Sequence, residues 1–136
     1  MSPHEILHPA NWRPARGYAN GIAAEGRMVF TGGLIGWTAG QSFETDDFAA
    51  QAAQALRNVV EVLACAGARP EHLVRLTWYV TDKRDYLGSL QDLGRAYREI
   101  IGRHYPAMAL VQVAALVEDR AKVEIEATAV IPREAP

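Results

Sequence analysis

Two helical stripes, each apolar along one side only, restrict the fold more than any other feature of this sequence. From Thr45 to Gly67 the residues Phe48, Ala52, Leu56, Val59 and Leu63 recur at spacings of three and four, which places them on one side of a helix. Thr45 is the expected N-cap, Asp46 and Asp47 fall in the first turn where the macrodipole favours negative charge, and Gly67 is the expected stop. A second helix is expected after the cap Asp82, with Tyr86, Leu90, Leu93, Tyr97 and Ile101 as its buried side and Gly102 at its end. Gly94 lies inside it at a cost of about 1 kcal/mol relative to alanine, and is either simply tolerated or marks a close packing contact. Helices with one apolar stripe each cover one face of a sheet and no more.

The strands that would form the sheet read in order. "YANGIAAEGRMVFTGG" gives two short strands meeting at a turn at Glu25 and Gly26, and "LIGWTAGQSF" is expected as a loop punctuated by Gly36 and Gly40. "HLVRLTWYVTD" alternates Leu76, Trp78 and Val80 against Thr77, Tyr79 and Thr81. "HYPAMALVQV" is a strand entered through Pro106, with Met108, Leu110 and Gln112 on one face and Ala107, Ala109, Val111 and Val113 on the other. "KVEIEATAV" places Glu124 and Glu126 together. The order β-β-α-β-α-β-β predicts an α+β fold, with two helices on one face of a single sheet and residues 1–15 extended against it. The second face, expected to carry Trp, Tyr, Met and Leu, has no element left to cover it. An oligomer is therefore expected, with that face paired or curled into a closed barrel.

A chain of 136 residues reads as one domain, 1–136. Its net charge of −2 gives no electrostatic reason to bind nucleic acid or an anionic membrane, and no apolar run approaches the length of a membrane span. Cys65, the only cysteine, is expected as a small buried hydrophobe and fits a reducing compartment. "MSPHEILHP" lacks the basic and apolar regions of a secretion signal, so a cytoplasmic location is expected. His4, His8, His72 and His104 show no metal-ligand spacing, and "TGGLIG" lacks the rest of a phosphate-binding loop. Ser42 and Ser89 have no neighbouring base by motif. Neither a metal nor a cofactor is expected.

"RGYANGIAAEGRMVFTGGLIG", "QAAQALRNVVEVLACAGARPEHLVRLTWYVTD", "LGRAYREIIGRHYPA" and "VEIEATAV" resemble, in this order, the Rid family of reactive-intermediate deaminases, long labelled L-PSP endoribonucleases. The resemblance covers about residues 16–132. It implies a chorismate-mutase-like fold with a mixed sheet and a homotrimer whose sheets line a central barrel, with clefts at the subunit interfaces. It also implies hydrolysis of 2-imino acids and their enamine tautomers to 2-oxo acids and ammonia. By the same resemblance Tyr18, Thr31 and Gly32 contact substrate, and Glu124 positions the water. One match fails: Met108 stands where the deaminase branch has an arginine, Leu110 stands for its pocket cysteine, and Gly94 falls at its helix asparagine.

That arginine would hold a substrate carboxylate by two parallel hydrogen bonds, each worth roughly 1.5–3 kcal/mol. Methionine offers dispersion and shape instead. Either another arginine enters the cleft, for which Arg16 is nearest in sequence although a solvated loop position is its commoner state, or the ligand presents an aromatic or acyl group to Met108, Leu110 and Trp37. Trp37 is equally a lid or a trimer contact. A carboxylate in an apolar cleft keeps its proton nearer neutral pH than one beside a guanidinium, which suits acid–base work. Glu126 is expected instead as a cross-strand partner of Arg or Lys on a sheet face. The first function expected is a divergent deaminase. A non-catalytic trimer binding a small molecule is second, and a ribonuclease is disfavoured by the lack of a basic stripe.

Overall fold

The computed structural model describes residues 2–133, so Met1 and residues 134–136 of the expected single domain lie outside the described residues. The elements are β1 (Glu5–Leu7), β2 (Gly21–Ala23), β3 (Arg27–Phe30), β4 (Leu34–Ile35), α1 (Phe48–Ala64), β5 (Leu73–Val80), α2 (Lys83–Leu87), α3 (Leu90–Ile100), β6 (Ala107–Gln112) and β7 (Val123–Ile131). The main sheet runs β3-β7-β5-β6, with β4 also paired to β7. Only the β5–β6 pair is parallel, because α2 and α3 provide the crossover between them; the sheet is mixed.

The stripe of α1 is fully sealed: Ala52, Leu56, Val59 and Leu63 have no exposed surface and Phe48 almost none. Its cap is two residues later than the sequence suggests. The Ala50 N–H donates to Asp47 Oδ2 at 2.9 Å, while Thr45 Oγ1 accepts from the Asp47 N–H at 3.0 Å, so the threonine holds the cap residue rather than the helix. At the other end Gly67 takes φ 78° and the Ala68 N–H returns to the Leu63 carbonyl at 3.0 Å. Gln51, which lies on the buried side with no exposed surface, donates to the carbonyls of Thr45 and Arg120 at 3.0 Å and accepts from the Lys122 N–H at 2.9 Å. It thereby ties the start of α1 to the entry of β7.

Three expectations are corrected. The single helix after Asp82 is two: the Gly88 N–H closes α2 on the Arg84 carbonyl at 2.9 Å, and Ser89 at φ −120° interrupts the helix before α3. Leu93, Tyr97 and Ile101 are buried as expected, but the break turns Leu90 outward, 52% exposed. The turn at Gly26 joins strands of different sheets, since β2 pairs with β1 and β3 with β7. A side chain at Gly26, φ 145°, would overlap the Ile131 carbonyl. Cys65 is an exposed free thiol, because it caps α1 on the side away from the sheet-facing stripe.

Register decides which face is which. Leu76, Trp78 and Val80 of β5 and Val123, Ile125, Ala127 and Ala129 of β7 pack against the helices. Met108 pairs with Leu76 and Leu110 with Trp78, so both share that helix-covered side rather than the open one on which the sequence reading placed Met and Trp. The open face carries Thr77, Tyr79, Glu124 and Glu126, with Met28 58% and Phe30 64% exposed on the β3 edge. No helix among the described residues is long and apolar enough to cross a membrane.

Candidate active site

The residues singled out in the sequence fall into two groups on opposite faces of the sheet. The first lines a cleft of about 560 Å³ between α3, β6 and the segment before β2. The Ala19 N–H donates to the Pro106 carbonyl at 3.0 Å, and Ala19 bridges Ala107 in parallel, which carries Tyr18 alongside the start of β6. Met108 and Leu110 project from β6 into the same space, with Trp78 of β5 beside them. Tyr97 and Tyr105 stack at 5.2 Å between ring centroids with planes 11° apart. The Tyr97 hydroxyl donates to the His104 carbonyl; burial, then the neighbouring Tyr105, pushes its pKa well above the ordinary phenol value, so it remains a neutral donor.

Two arginines reach this cleft. Arg16 lines it from the N-terminal segment and Arg98 from α3. A Cβ on Gly94 would meet Arg98 Nη1 at 3.2 Å, so the bare turn at Gly94 makes room for the guanidinium. Neither arginine forms an ion pair among the described residues, and no acidic side chain lines the cleft. Trp78 Nε1 is buried beside it with no hydrogen-bond partner among the described residues.

The second group lies on the open face. Glu124 sits in register with Tyr79 of β5 on one side and Ile35 of β4 on the other. A Cβ on Gly33 would stand 2.7 Å from Glu124 Cδ, so the carboxylate lies directly over the Gly33 backbone. Thr31 extends the ladder: its N–H donates to the Ala127 carbonyl at 2.9 Å, its hydroxyl accepts from the Ala127 N–H at 3.0 Å and donates to the Gly32 carbonyl at 2.8 Å. That hydroxyl proton is already committed. Gly32 has open space where a Cβ would stand. Among the described residues the Glu124 carboxylate accepts no hydrogen bond, whereas Glu126 accepts from the Tyr79 hydroxyl at 2.7 Å. This bond and the neighbouring carboxylates raise the Tyr79 pKa, and they give Glu126 a tyrosine rather than the expected cation as cross-strand partner.

Trp37 joins neither group: its ring leans on Phe43 at 5.8 Å and its carbonyl accepts from Asn58 Nδ2 at 2.9 Å. The sequence reading missed Trp78, Tyr97, Tyr105 and Arg98 as cleft residues. Trp78 and Tyr97 were legible as inward-facing but not as cleft residues, and Arg98 left its four-residue spacing from Gly94 on one side of a helix. No group of three His, Cys, Asp or Glu side chains stands together among the described residues to hold a metal.

The architecture has known counterparts. The family model described as Endoribonuclease L-PSP matches residues 9–131. The 2-iminobutanoate/2-iminopropanoate deaminase of Salmonella typhimurium is 34% identical over 116 residues, 83% of this chain and 86% of that protein. Among solved structures, YyfB from Yersinia pestis, described as a protein of unknown function of the conserved Rid family, superposes with a TM-score of 0.84 at 28% identity, covering 94% of this chain and 98% of that one. E. coli TdcF with bound serine superposes at 0.66 with 31% identity, covering 93% and 98%.

Proposed function

The chain belongs to the endoribonuclease L-PSP family, the Rid proteins, and on that premise we propose that it hydrolyses an imine or enamine of a small metabolite in clefts completed between its copies. The observation that carries this reading is the Glu124 carboxylate lying over Gly33, without a hydrogen-bond partner among the described residues, at an open sheet face. There it takes the proton of a water whose oxygen attacks the imine carbon. The C=N pair moves to nitrogen, which takes that proton from Glu124; the carbinolamine hydroxyl then gives up its own proton, which Glu124 passes to the amine, and as C=O forms ammonia leaves. The backbone at Gly32 and Gly33 lines the place where the reacting group would sit. The names carried by relatives at about this identity support deaminase chemistry.

Within one protomer Glu124 cannot share a cleft with Tyr18, Met108 and Leu110, because β5 and the sheet itself lie between them. The reading therefore needs a second copy to bring its open face to the first copy's cleft. Exposed Met28 and Phe30 give that face a reason to be covered, and a homotrimer is the assembly proposed. A cytoplasmic location is part of the proposal, since an exposed free thiol such as Cys65 stays reduced there.

A specific observation favours a second reading. Met108 leaves the cleft floor without a charge, which suits a trimer that binds a small apolar metabolite and transforms nothing. Ammonia release from imines generated in situ, measured against the spontaneous rate over a broad panel, separates the two. Acceleration supports the deaminase; none across the panel, with saturable binding of a panel compound, supports the binding module.

A further inference from the structure

The Met108 cleft is sorted by polarity along its depth. Met108, Leu110, Leu93 and Trp78 are buried or half-buried and form an uncharged interior. Arg16 and Arg98 are exposed and stand at its mouth, one from the N-terminal segment and one from α3. Each is free of ion pairing among the described residues, and no carboxylate lines the cleft to neutralise them. Gly94 lacks the side chain that would crowd Arg98, and Tyr18, itself 44% exposed, stands at the same mouth. At about 560 Å³ the space falls within the roughly 300–1,000 Å³ of small-molecule sites, and it is larger than a two- or three-carbon acid fills.

We propose that this cleft takes an aromatic 2-oxo or 2-imino acid with its ring seated against Met108 and Trp78 and its carboxylate held at the mouth by Arg98 and Arg16. This specificity rests on the function proposed above, since it names the substrate class of the same site. Guanidinium groups suit the task because their forked donors match a carboxylate. The sorted polarity also sets the direction of the ligand. A carboxylate held at the mouth keeps the adjoining C=N carbon there as well, on the side from which a neighbouring copy's carboxylate must come. The buried Trp78 N–H, unpartnered among the described residues, leaves a donor beside the interior that no residue there satisfies.

Titration calorimetry with three probes tests this: phenylpyruvate, pyruvate, and phenylacetone, which has the ring and ketone without the carboxylate. Phenylpyruvate is expected to bind about tenfold or more tightly than either of the others, each of which lacks one of the two contacts. Arg98→Gln and Arg16→Gln are each expected to weaken phenylpyruvate by about fivefold to tenfold and to leave phenylacetone unchanged. Arg98→Lys, which keeps the charge without the fork, should fall between wild type and Arg98→Gln, and guards against a variant that fails to fold. Equal binding of pyruvate and phenylpyruvate, no binding of phenylpyruvate, or wild-type affinity in both glutamine variants overturns the proposal. Ammonia release separates the two readings. If the arginine-dependent preference holds and the imine of phenylalanine is hydrolysed no faster than spontaneously, the deaminase falls and this ligand class stands. If the imine of alanine is accelerated and phenylpyruvate does not bind, the ligand class falls and the deaminase stands.

Discussion

Glu124 and Met108 look out of opposite faces of one sheet: Glu124 pairs with Tyr79 and Met108 with Leu76, on the two sides of the same intervening strand, β5. A strand's side chains alternate faces, so no rotamer change brings this carboxylate and this thioether into one cavity within a protomer. A site that uses both must be built between copies. Phe30→Glu, at a position 64% exposed on the open face, is expected to leave the fold intact, shift the protein toward monomer, and remove ammonia-releasing activity. Light scattering beside the activity assay checks it; a monomeric variant with full turnover would exclude a shared site.

The closeness of Gly33 to Glu124 makes a second prediction. Gly33→Ala places a methyl where the carboxylate now lies, 2.7 Å from its Cδ, and moves the carboxylate. Displacement of a catalytic group by about 1 Å costs on the order of a hundredfold in rate, so kcat should fall by about ten- to a hundredfold with KM little changed. Steady-state kinetics at 25 °C, beside a melting temperature that shows the variant folded, would show it.

The legibility of the chain divides along physical lines. The α1 stripe was readable because a helix repeats its pattern over several turns, and all five positions from Phe48 to Leu63 are buried. The break after Leu87 was not, because the spacing from Tyr86 to Leu90 to Leu93 continues across Gly88 and Ser89 as if nothing intervened. Alternation told which residues of β6 share a face but not which face the helices cover; that depends on register against Leu76 and Trp78, a contact between distant segments. Glu124 and Tyr18 came from the family resemblance. The spacing of Arg98 from Gly94 was legible, but its place at the mouth depends on where α3 sits over β6.

Gln51 is expected to be the most sensitive polar residue of the core. Gln51→Leu keeps most of the volume yet removes the partners of the Thr45 and Arg120 carbonyls and of the Lys122 N–H. Leaving buried backbone groups unpaired costs about 1–3 kcal/mol each, non-additively, so a loss of about 3 kcal/mol is expected in urea denaturation with an unchanged m-value.

Acid should destabilise the fold through His72. Burial lowers its pKa below the ordinary value of 6.5, against a smaller opposing effect from Glu71, and its Nδ1 accepts the Arg69 N–H at 2.9 Å, so the native ring is neutral. The unfolded ring takes up its proton first as pH falls, so this stability is full above about 6.5 and declines below it until the native ring itself titrates. The urea midpoint is expected to fall from pH 7.5 to pH 5.5 in wild type and to fall less in His72→Gln.

Central to the account is a water activated by Glu124, and the direct measurement is ammonia release by wild type and Glu124→Gln on imines generated in situ, with the assembly state of both checked. General base removal costs about a hundred- to ten-thousandfold, so the variant is expected to run near the spontaneous rate while it remains folded and assembled. A Glu124→Gln protein as fast as wild type would contradict it.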